Sequence, residues 1–441
     1  MKIRLFYYAL VVALAGFLFG FDTVVISGAN MPIKALWPMS DWFHGTFIMS
    51  MALWGTVAGA LLGGYPTDIL GRKNTLIVIG VLYFVSALGS AIAAEPYIFS
   101  FYRFIGGLGV GASSIAAPAY ISEISRPDNR GKLGVLYQFN IVLGILIAYL
   151  SNYFLKGFDG ANDWRWMLGV EAIPALCYTV LMFGVPRSPR WLAIHKGNEK
   201  QALKALEKTC GREEAVRMLG VMHDDHVRNT GTTETIFAKK YRFPLVLAFL
   251  IAVFNQFSGI NFILYYAPEI LQKAGFGSSE SLFSSVSIGV VNLVFTFLGM
   301  YLIDRMGRRQ LMLFGSAGYI ISLFSVALCF YTGASAIYKL VFILLFIASH
   351  AVGQGSVIWV FISEIFPSKV RAYGQSWGSA THWVCASLVT LFGAVLINKF
   401  SPEVVFSVFG GLMVLQLLFV IRLMPETKGK SLEELEEQFI K

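Results

Sequence analysis

The sequence predicts an all-α membrane protein of twelve transmembrane helices, arranged as two six-helix bundles with the same orientation. Three observations lead to this fold class. The 441 residues are 56% hydrophobic and 14% charged, with a mean hydropathy of +0.65, whereas soluble domains carry about 25% charged residues. The chain contains twelve apolar runs, each near the roughly 20 residues that cross the hydrocarbon layer. Short charged motifs also recur at a nearly constant spacing.

The twelve apolar runs define the predicted membrane spans. Many of them contain glycine, which allows membrane helices to approach one another closely. The predicted spans are 6–29, 45–67, 74–94, 97–122, 131–155, 164–185, 243–268, 281–303, 310–331, 338–362, 372–397 and 401–423.

Lysine and arginine are unevenly distributed between alternate connections, which predicts the orientation. By the positive-inside rule, both termini and the long central connection lie in the cytoplasm of a multi-pass protein of the cell membrane. This topology explains the formal net charge of +9. Membrane lipid is therefore an expected partner, and a nucleic acid is not. The basic residues are concentrated at 72–73, 126–132, 187–242, 305–309, 369–371 and 422–430.

Three motifs occur twice, once after each of two corresponding spans. Because an even number of spans separates the two copies, the halves are parallel repeats, which is a known plan of transporters. The copies begin or centre on Asp68 and Asp304, Glu123 and Glu364, and Pro186 and Pro425, at separations of 236, 241 and 239 positions.

The repeat predicts the domain boundaries. Residues 1–186 form the N-terminal bundle and 243–424 the C-terminal bundle, and 425–441 form a cytoplasmic tail. The connection 187–242 is charged and interrupted by glycine, and it is predicted to be a cytoplasmic linker with short amphipathic helices at 198–208 and 212–222.

The repeated charges predict a cytoplasmic charge latch that favours an outward-facing state. Gly71 and Gly307 can adopt positive φ in tight turns, and the arginines that follow them can reach carboxylates on neighbouring helix ends. The alternative is that these charges only solvate helix ends. The predicted latch residues are Asp68, Arg72, Glu123, Arg130, Arg190, Asp304, Arg308, Glu364, Arg371 and Glu426.

Eight short strings, in order and at characteristic spacing, resemble the sugar porter family of the major facilitator superfamily, in particular bacterial proton-coupled symporters. The match extends from about residue 16 to 435 and implies the major facilitator fold, a monomer, and sugar transport by alternating access between two bundles. The strings contain Asp22, Arg103, Glu123, Arg190, Asn255 to Asn261, Tyr265 to Pro268, Trp359 to Glu364, and Pro425 to Gly429.

Asp22 and Arg103 are ionisable residues within predicted spans one and four. Such groups are costly in a membrane and usually functional. If they meet, each offsets the desolvation of the other, and protonating Asp22 breaks the pair. The resemblance implies this couple in proton symporters, whereas uniporters tend to carry an amide at the Asp22 position. A proton is therefore a predicted partner. A purely structural ion pair is the alternative.

Neutral amides and aromatic rings lie at mid-span depth, and they suit the hydroxyls and apolar faces of a sugar. A break at Ser258–Gly259 would direct Gln256 and Asn261 to one site. The alternative is that membrane amides only tie helices together. The resemblance assigns sugar contacts to Gln138, Gln256, Asn261, Asn292 and Trp359, and the full predicted set adds Asn255, Tyr265, His350, His382, Phe19, Ile141 and Ile145.

Four residues depart from the family pattern. Asn255 replaces the first of two glutamines, and Arg187 reverses the charge of a glutamate in the cytoplasmic network. His350 stands where relatives often have an aromatic residue, and His382 where they often have an amide. Because histidine changes its charge near neutral pH, both are predicted to influence substrate choice and pH dependence. Hydrogen bonding of each imidazole to a neighbouring helix is the alternative.

Other functions have less support in the sequence. We find no phosphate-binding loop, catalytic constellation or metal-ligand spacing, and we expect neither an enzyme nor a cofactor. The preferred function is proton symport of a monosaccharide, a hexose by default. A passive uniporter is the alternative, and the short tail disfavours a sugar sensor. A single acid within the spans argues against an exporter of hydrophobic cations. The first half is predicted to hold the proton couple, and the second most sugar contacts.

Overall fold

The computed structural model describes residues 3–125, 127–229, 235–367, 369–430 and 434–436, and side chains at 127, 128, 130, 131 and 223–229 lie outside that description. Eleven helices in the described ranges are long and apolar enough to cross a membrane. A twelfth span is a pair of helices, Asp41–Met49 and Met51–Leu62, that meet at 44°. The predicted all-α class with twelve spans is confirmed.

The observed spans agree with the predicted ones, and their ends differ by at most six residues, except that span one ends seven residues later than predicted. In chain order they are Ile3–Leu36, Asp41–Met49 with Met51–Leu62, Arg72–Ile92, Pro96–Ile124, Lys132–Leu155, Gly160–Phe183, Lys239–Ala274, Ser278–Met306, Arg308–Tyr331, Ala336–Glu364, Arg371–Lys399 and Pro402–Arg422.

Span seven is broken where the sequence predicted. One helix, Arg242–Phe257, ends before Ser258, and the next, Ile260–Ala274, begins after Gly259. Gly259 has φ +86°, and a Cβ there would lie 2.9 Å from the Phe409 ring. Both the left-handed backbone and the close approach therefore require glycine.

Two further breaks were not predicted. Span ten divides into Ala336–Val352 and Gln354–Glu364 at Gly353, where a Cβ would lie 2.9 Å from the Gly315 Cα. Span six divides into Asp163–Gly169 and Ala172–Phe183. Each break interrupts the backbone hydrogen bonds of a helix, so the freed groups and side chains at these depths become available for function.

The repeated turns have the conformation that the sequence predicted. Gly71 has φ +82° and Gly307 has φ +95°, and each immediately precedes the first residue of a helix. A Cβ on Gly71 would lie 2.8 Å from the Trp191 ring, and one on Gly307 would overlap the Glu426 carboxylate. Both turns thus hold the following arginine at a fixed helix start.

The linker contains the predicted short helices and one more. Its helices are Pro189–Ile194, Glu199–Glu207 and Arg212–Asn229. The Ser188 hydroxyl accepts from the Trp191 backbone N–H, and the Asn198 side-chain Oδ1 accepts from the Gln201 backbone N–H. These N-caps satisfy amides that a short helix leaves open. Trp191 packs with apolar side chains of the next helix, and its indole N–H donates to the Asp68 carbonyl at 2.6 Å.

The chain divides into two compact units. The first comprises Met1–Thr23, Trp54–Ile145 and Leu168–Thr233, and the second comprises Val24–Leu53, Leu146–Met167 and Glu234–Lys441. Each contains its own buried apolar cluster: one runs from Leu5 to Val185, and the other from Ile236 to Leu435. The predicted domain boundaries at 186, 242 and 424 stay a prediction.

Candidate functional site

Asp22 and Arg103 meet within the first unit. The Arg103 Nη1 donates to Asp22 Oδ1 at 2.5 Å, and its Nη2 donates to the Asp22 backbone carbonyl at 3.0 Å. Both side chains are 2% exposed. Gly106 helps to bring the helices together, because a Cβ there would lie 3.4 Å from Asp22 Oδ1 and would overlap Ser86. The structure thus joins the two ionisable residues that the sequence singled out.

Burial makes this ion pair sensitive to a change of charge. Removing one member of a buried pair typically costs about 3–5 kcal/mol, because the other charge stays uncompensated. A proton on Asp22 removes the negative charge without removing the side chain. Protonation therefore weakens the attraction between Asp22 and Arg103 and leaves the guanidinium in need of another partner.

Glu171 is a functional candidate that the sequence analysis missed. It is 2% exposed at the break in span six, and its Oε1 has no hydrogen-bond partner among the described residues. Asp22 and Arg103 are the charged groups that act on it electrostatically. An acid inside predicted span 164–185 was the available signal. The expectation of a single acid within the spans was wrong.

The predicted sugar contacts of the first unit lie along the first and fifth spans. Gly20 packs so closely that a Cβ there would overlap the Ile141 backbone, and Phe19 and Ile141 pack against the same apolar cluster. Ile145 is buried one turn further along the fifth span. Gln138 is half-buried, and within the described ranges its amide makes no hydrogen bond to protein. Its donor and acceptor groups are therefore available to a ligand.

Three of the predicted contacts gather in the second unit. The Gln256 Nε2 lies 3.2 Å from the His382 Nε2 and 3.4 Å from its Nδ1. The rings of His382 and Trp359 have centroids 4.9 Å apart. Trp359 is 39% exposed although it lies within a span. An amide, an imidazole and an accessible indole thus form one polar and aromatic surface.

Several amide groups of this unit lack a protein partner. The Gln256 Oε1 is buried without a hydrogen bond among the described residues. Asn261 and Asn292 are buried, and across the described chain their side chains form no hydrogen bond to protein. Buried polar groups are almost always satisfied, so these amides indicate a hydroxyl-bearing ligand or water. Tyr265 is also buried here.

His350 has a different environment from His382. Its Nδ1 lies 2.6 Å from the Tyr319 hydroxyl, on the helix Arg308–Tyr331. This geometry fits the alternative that the imidazole ties two helices together. His382 instead faces Gln256 and Trp359, so it is the better candidate for influencing substrate choice.

Residues 8–439 match the family model described as sugar (and other) transporter. The chain belongs to this family. The resemblance predicted from the sequence is thereby confirmed, and the chain is a transporter and not an enzyme.

Known relatives of this transporter align with it over almost their whole length. The D-xylose-proton symporter of Escherichia coli K12 is 35% identical over 98% of this chain and 95% of its own. The arabinose-proton symporter of Bacillus subtilis is 36% identical over 97% and 93%. The inward open structure of the E. coli xylose transporter XylE has a TM-score of 0.88 and 34% identity, covering 99% of this chain and 100% of that chain.

In the first unit of the transporter, Arg72 is the centre of a charge cluster. It lies 3.0 Å from Glu123 through both Nε and Nη2, and its Nη1 lies 3.0 Å from Asp68 Oδ1. The Ser188 hydroxyl donates to the other Glu123 oxygen. Arg190 acts on Glu123 electrostatically. The predicted partners of the first motif therefore meet.

The second unit of the transporter repeats this cluster. Arg308 forms a bidentate pair with Glu364 at 2.7 and 3.1 Å, and its Nη1 lies 3.2 Å from Asp304. Glu426 accepts from the backbone N–H of Arg308 at 2.9 Å, at the start of a helix, where a negative charge is favourable. Arg371 Nε donates to the Phe366 backbone carbonyl at 3.2 Å.

The latch function of these clusters stays a prediction. Each ion pair described above lies within a single unit. Arg130 also belongs to the predicted latch, but its side chain lies outside the described residues. Arg187 acts electrostatically on Lys73 and belongs to no ion pair in the described part.

Arg308→Gln is expected to destabilise the transporter by about 2 kcal/mol or more, because Glu364 loses its bidentate partner in a partly buried position. The measurement is the apparent melting temperature of purified protein in detergent. Arg212→Gln is the control, because that side chain is 84% exposed and its pair with Glu207 is long, at 3.8 Å. Equal melting temperatures for both variants would contradict the structural importance of the Arg308 cluster.

A second buried polar group was also missed by sequence reasoning. His44 Nε2 lies 2.6 Å from Asn30 Oδ1, and Asn30 Nδ2 donates to Glu269 Oε2 at 2.8 Å. All three side chains are buried. They join helices from spans one, two and seven. Glu269 is thus another acid within a span.

Proposed function

We propose that this transporter carries a monosaccharide into the cell together with a proton, by alternating access. The proposal places it in the cell membrane, surrounded by lipid, as a monomer with both termini in the cytoplasm and no nucleic-acid partner. The observation that carries it is the buried Asp22–Arg103 ion pair, whose two charges also act electrostatically on the buried Glu171. The relatives named as xylose-proton and arabinose-proton symporters support the same function.

The three buried groups suggest how a single proton would act. Two carboxylates and one guanidinium carry a net charge of −1 when both acids are ionised, and one proton makes the group neutral. A neutral group is cheaper to bury than a charged one. When Asp22 takes the proton, Glu171 becomes the ionised partner for Arg103. Proton binding would then exchange one ion pair for another and allow the surrounding helices to rearrange.

The sugar contacts proposed from the sequence are kept for Gln138, Gln256, Asn261, Asn292 and Trp359. Their amides offer donors and acceptors that no described protein group uses fully. Trp359 offers an accessible ring for the apolar face of a sugar. His382 is proposed as a further contact because its ring adjoins both Gln256 and Trp359.

The size of the sugar is left open in this proposal. Two relatives are named for xylose and arabinose, which are pentoses. The hexose preference expected from the sequence has no support from these names. The substrate class is therefore a neutral monosaccharide, and pentoses and hexoses both belong in its test.

The test is uptake of labelled pentoses and hexoses into proteoliposomes, with and without an inward proton gradient. A gradient of one pH unit supplies about 1.4 kcal/mol per proton, so one proton per sugar would drive about tenfold accumulation. We expect accumulation of at least one sugar only with the gradient. Equilibration that ignores the gradient would indicate a passive uniporter and overturn the proposal.

A further inference from the structure

A line of buried hydrogen bonds runs away from Gln256 through the second unit. Asn255 Nδ2 donates to Gln354 Oε1 at 3.4 Å, and Gln354 Nε2 donates to Gln416 Oε1 at 3.1 Å. Gln416 Nε2 then donates to Ser316 Oγ at 2.8 Å. All of these side chains are 2% exposed or less. We name Asn255, Gln354, Gln416 and Ser316 the amide relay.

Four different helices supply the amide relay. Asn255 lies in Arg242–Phe257, and Gln354 is the first residue after the break in span ten. Gln416 lies in Pro402–Arg422 and Ser316 in Arg308–Tyr331. Gly315 and Gly353 bring two of these helices into backbone contact. The relay therefore sits in rigid secondary structure, where its side chains have little freedom to adopt other positions.

Every bond of the relay has the same direction. The Ser316 hydroxyl donates to the Met312 carbonyl at 2.7 Å, so its oxygen is free to accept from Gln416. Each amide oxygen therefore accepts from the residue before it in the relay, and each amide nitrogen donates to the residue after it. At the near end, Gln256 Nε2 donates to Asn255 Oδ1 at 2.8 Å. The Gln256 Oε1 is buried and accepts no hydrogen bond from the described residues.

The direction of the relay decides what Gln256 offers to a ligand. If every side-chain amide of the relay and of Gln256 rotated by about 180° and so exchanged its oxygen and nitrogen, Gln256 would present its NH₂ group where it now presents Oε1. Bonds in such a chain polarise one another, so the amides favour a common direction. His382 adjoins the same group, with its Nε2 3.2 Å from Gln256 Nε2. In the tautomer whose Nε2 carries no proton, this nitrogen accepts from the Gln256 NH₂ group and favours the present orientation.

We propose that the amide relay positions Gln256 as a hydrogen-bond acceptor, so that the transporter selects sugars with a donating hydroxyl at that position. This inference rests on the proposed sugar site. Gln354, Gln416 and Ser316 are positioning residues, since they act through Gln256 and not on the sugar itself. A sugar with fluorine in place of that hydroxyl is rejected, because fluorine cannot donate a hydrogen bond to a buried oxygen.

The experiment measures inhibition constants for the monodeoxy and monofluorodeoxy analogues of the transported sugar in competition with that sugar. For the parent protein, we expect one position at which both analogues bind about tenfold or more weakly than the sugar, the scale of one lost hydrogen bond at a buried acceptor. Parent protein that tolerates fluorine at every position would overturn the proposal.

The variants Ser316→Ala and Gln416→Leu test the relay directly. Ser316→Ala removes the final acceptor of the relay, and Gln416→Leu removes one of its amides. The remaining amides can then exchange their oxygen and nitrogen positions, so the penalty for fluorine at that position should fall to about threefold or less. A merely structural role would weaken the sugar and all analogues alike and leave the ratio unchanged. An unchanged ratio in folded Ser316→Ala, the milder change, would overturn the proposal even if Gln416→Leu does not fold.

Ser322→Ala is the matched control. Ser322 lies on the same helix as Ser316 and is equally buried, but within the described residues its hydroxyl donates only to the backbone carbonyls of Gly318 and Tyr319. We expect this variant to keep the parent ratio. If the folded parent binds no sugar at all, the proposed function fails. If it binds sugar but does not discriminate against fluorine, only the proposal for the amide relay fails.

Discussion

Asp22→Asn is expected to abolish accumulation of sugar against a gradient while exchange of labelled sugar continues. The amide can still accept a hydrogen bond from Arg103, but it cannot bind and release a proton. Accumulation in proteoliposomes with a one-unit pH gradient should fall from about tenfold to about onefold. Counterflow into sugar-loaded vesicles, which needs no proton gradient, should persist.

Glu95→Gln is the control for this variant. Glu95 is exposed at the start of the helix that carries Arg103, and its side chain makes no cap hydrogen bond. The control should accumulate sugar like the parent. Equal accumulation by Asp22→Asn and the parent would show that the buried pair only holds two helices together.

Gln256→Ala is expected to weaken sugar binding by about tenfold to a hundredfold. The truncation removes an acceptor and a donor, and each lost hydrogen bond is worth about 1 kcal/mol. The Asp22–Arg103 pair lies in the other unit and is untouched. Uptake at saturating sugar should therefore still respond to the proton gradient. The measurements are the half-saturating sugar concentration and the maximal rate, each with and without the gradient.

Gln272→Ala provides the matched control, because Gln272 is the same residue type in the same span. Its amide donates to the Ser281 hydroxyl at 3.3 Å, on the neighbouring helix. Half-saturation should stay near the parent value in this control. The same loss in both variants would attribute the effect to span seven in general and not to a sugar contact at Gln256.

Much of this fold was predictable because each decisive signal is local in sequence. A run of about 20 apolar residues identifies a span wherever the helix finally packs. Asp22 and Arg103 stand out because a charge within such a run is costly. The Ser258–Gly259 break was expected from a glycine beside clustered amides, and it is present.

The rest depends on packing that no single segment encodes. Gln354 and Gln416 are 62 positions apart, and their contact follows from the way several helices pack. In the sequence, Gly353 is one of many glycines within the predicted spans, and only the structure shows that it breaks the helix where it lies against Gly315. Glu171 was visible as an acid in an apolar run, but only the structure associates it with Asp22 and Arg103.

The central claim is that sugar and proton move together, and the most direct measurement is proton movement driven by sugar alone. Proteoliposomes with a pH-sensitive dye inside are held at equal pH on both sides, and a transported sugar is added outside. Symport predicts that the lumen becomes more acidic with the parent protein and stays unchanged with Asp22→Asn. Entry of labelled sugar into parent vesicles without any change in luminal pH would contradict it.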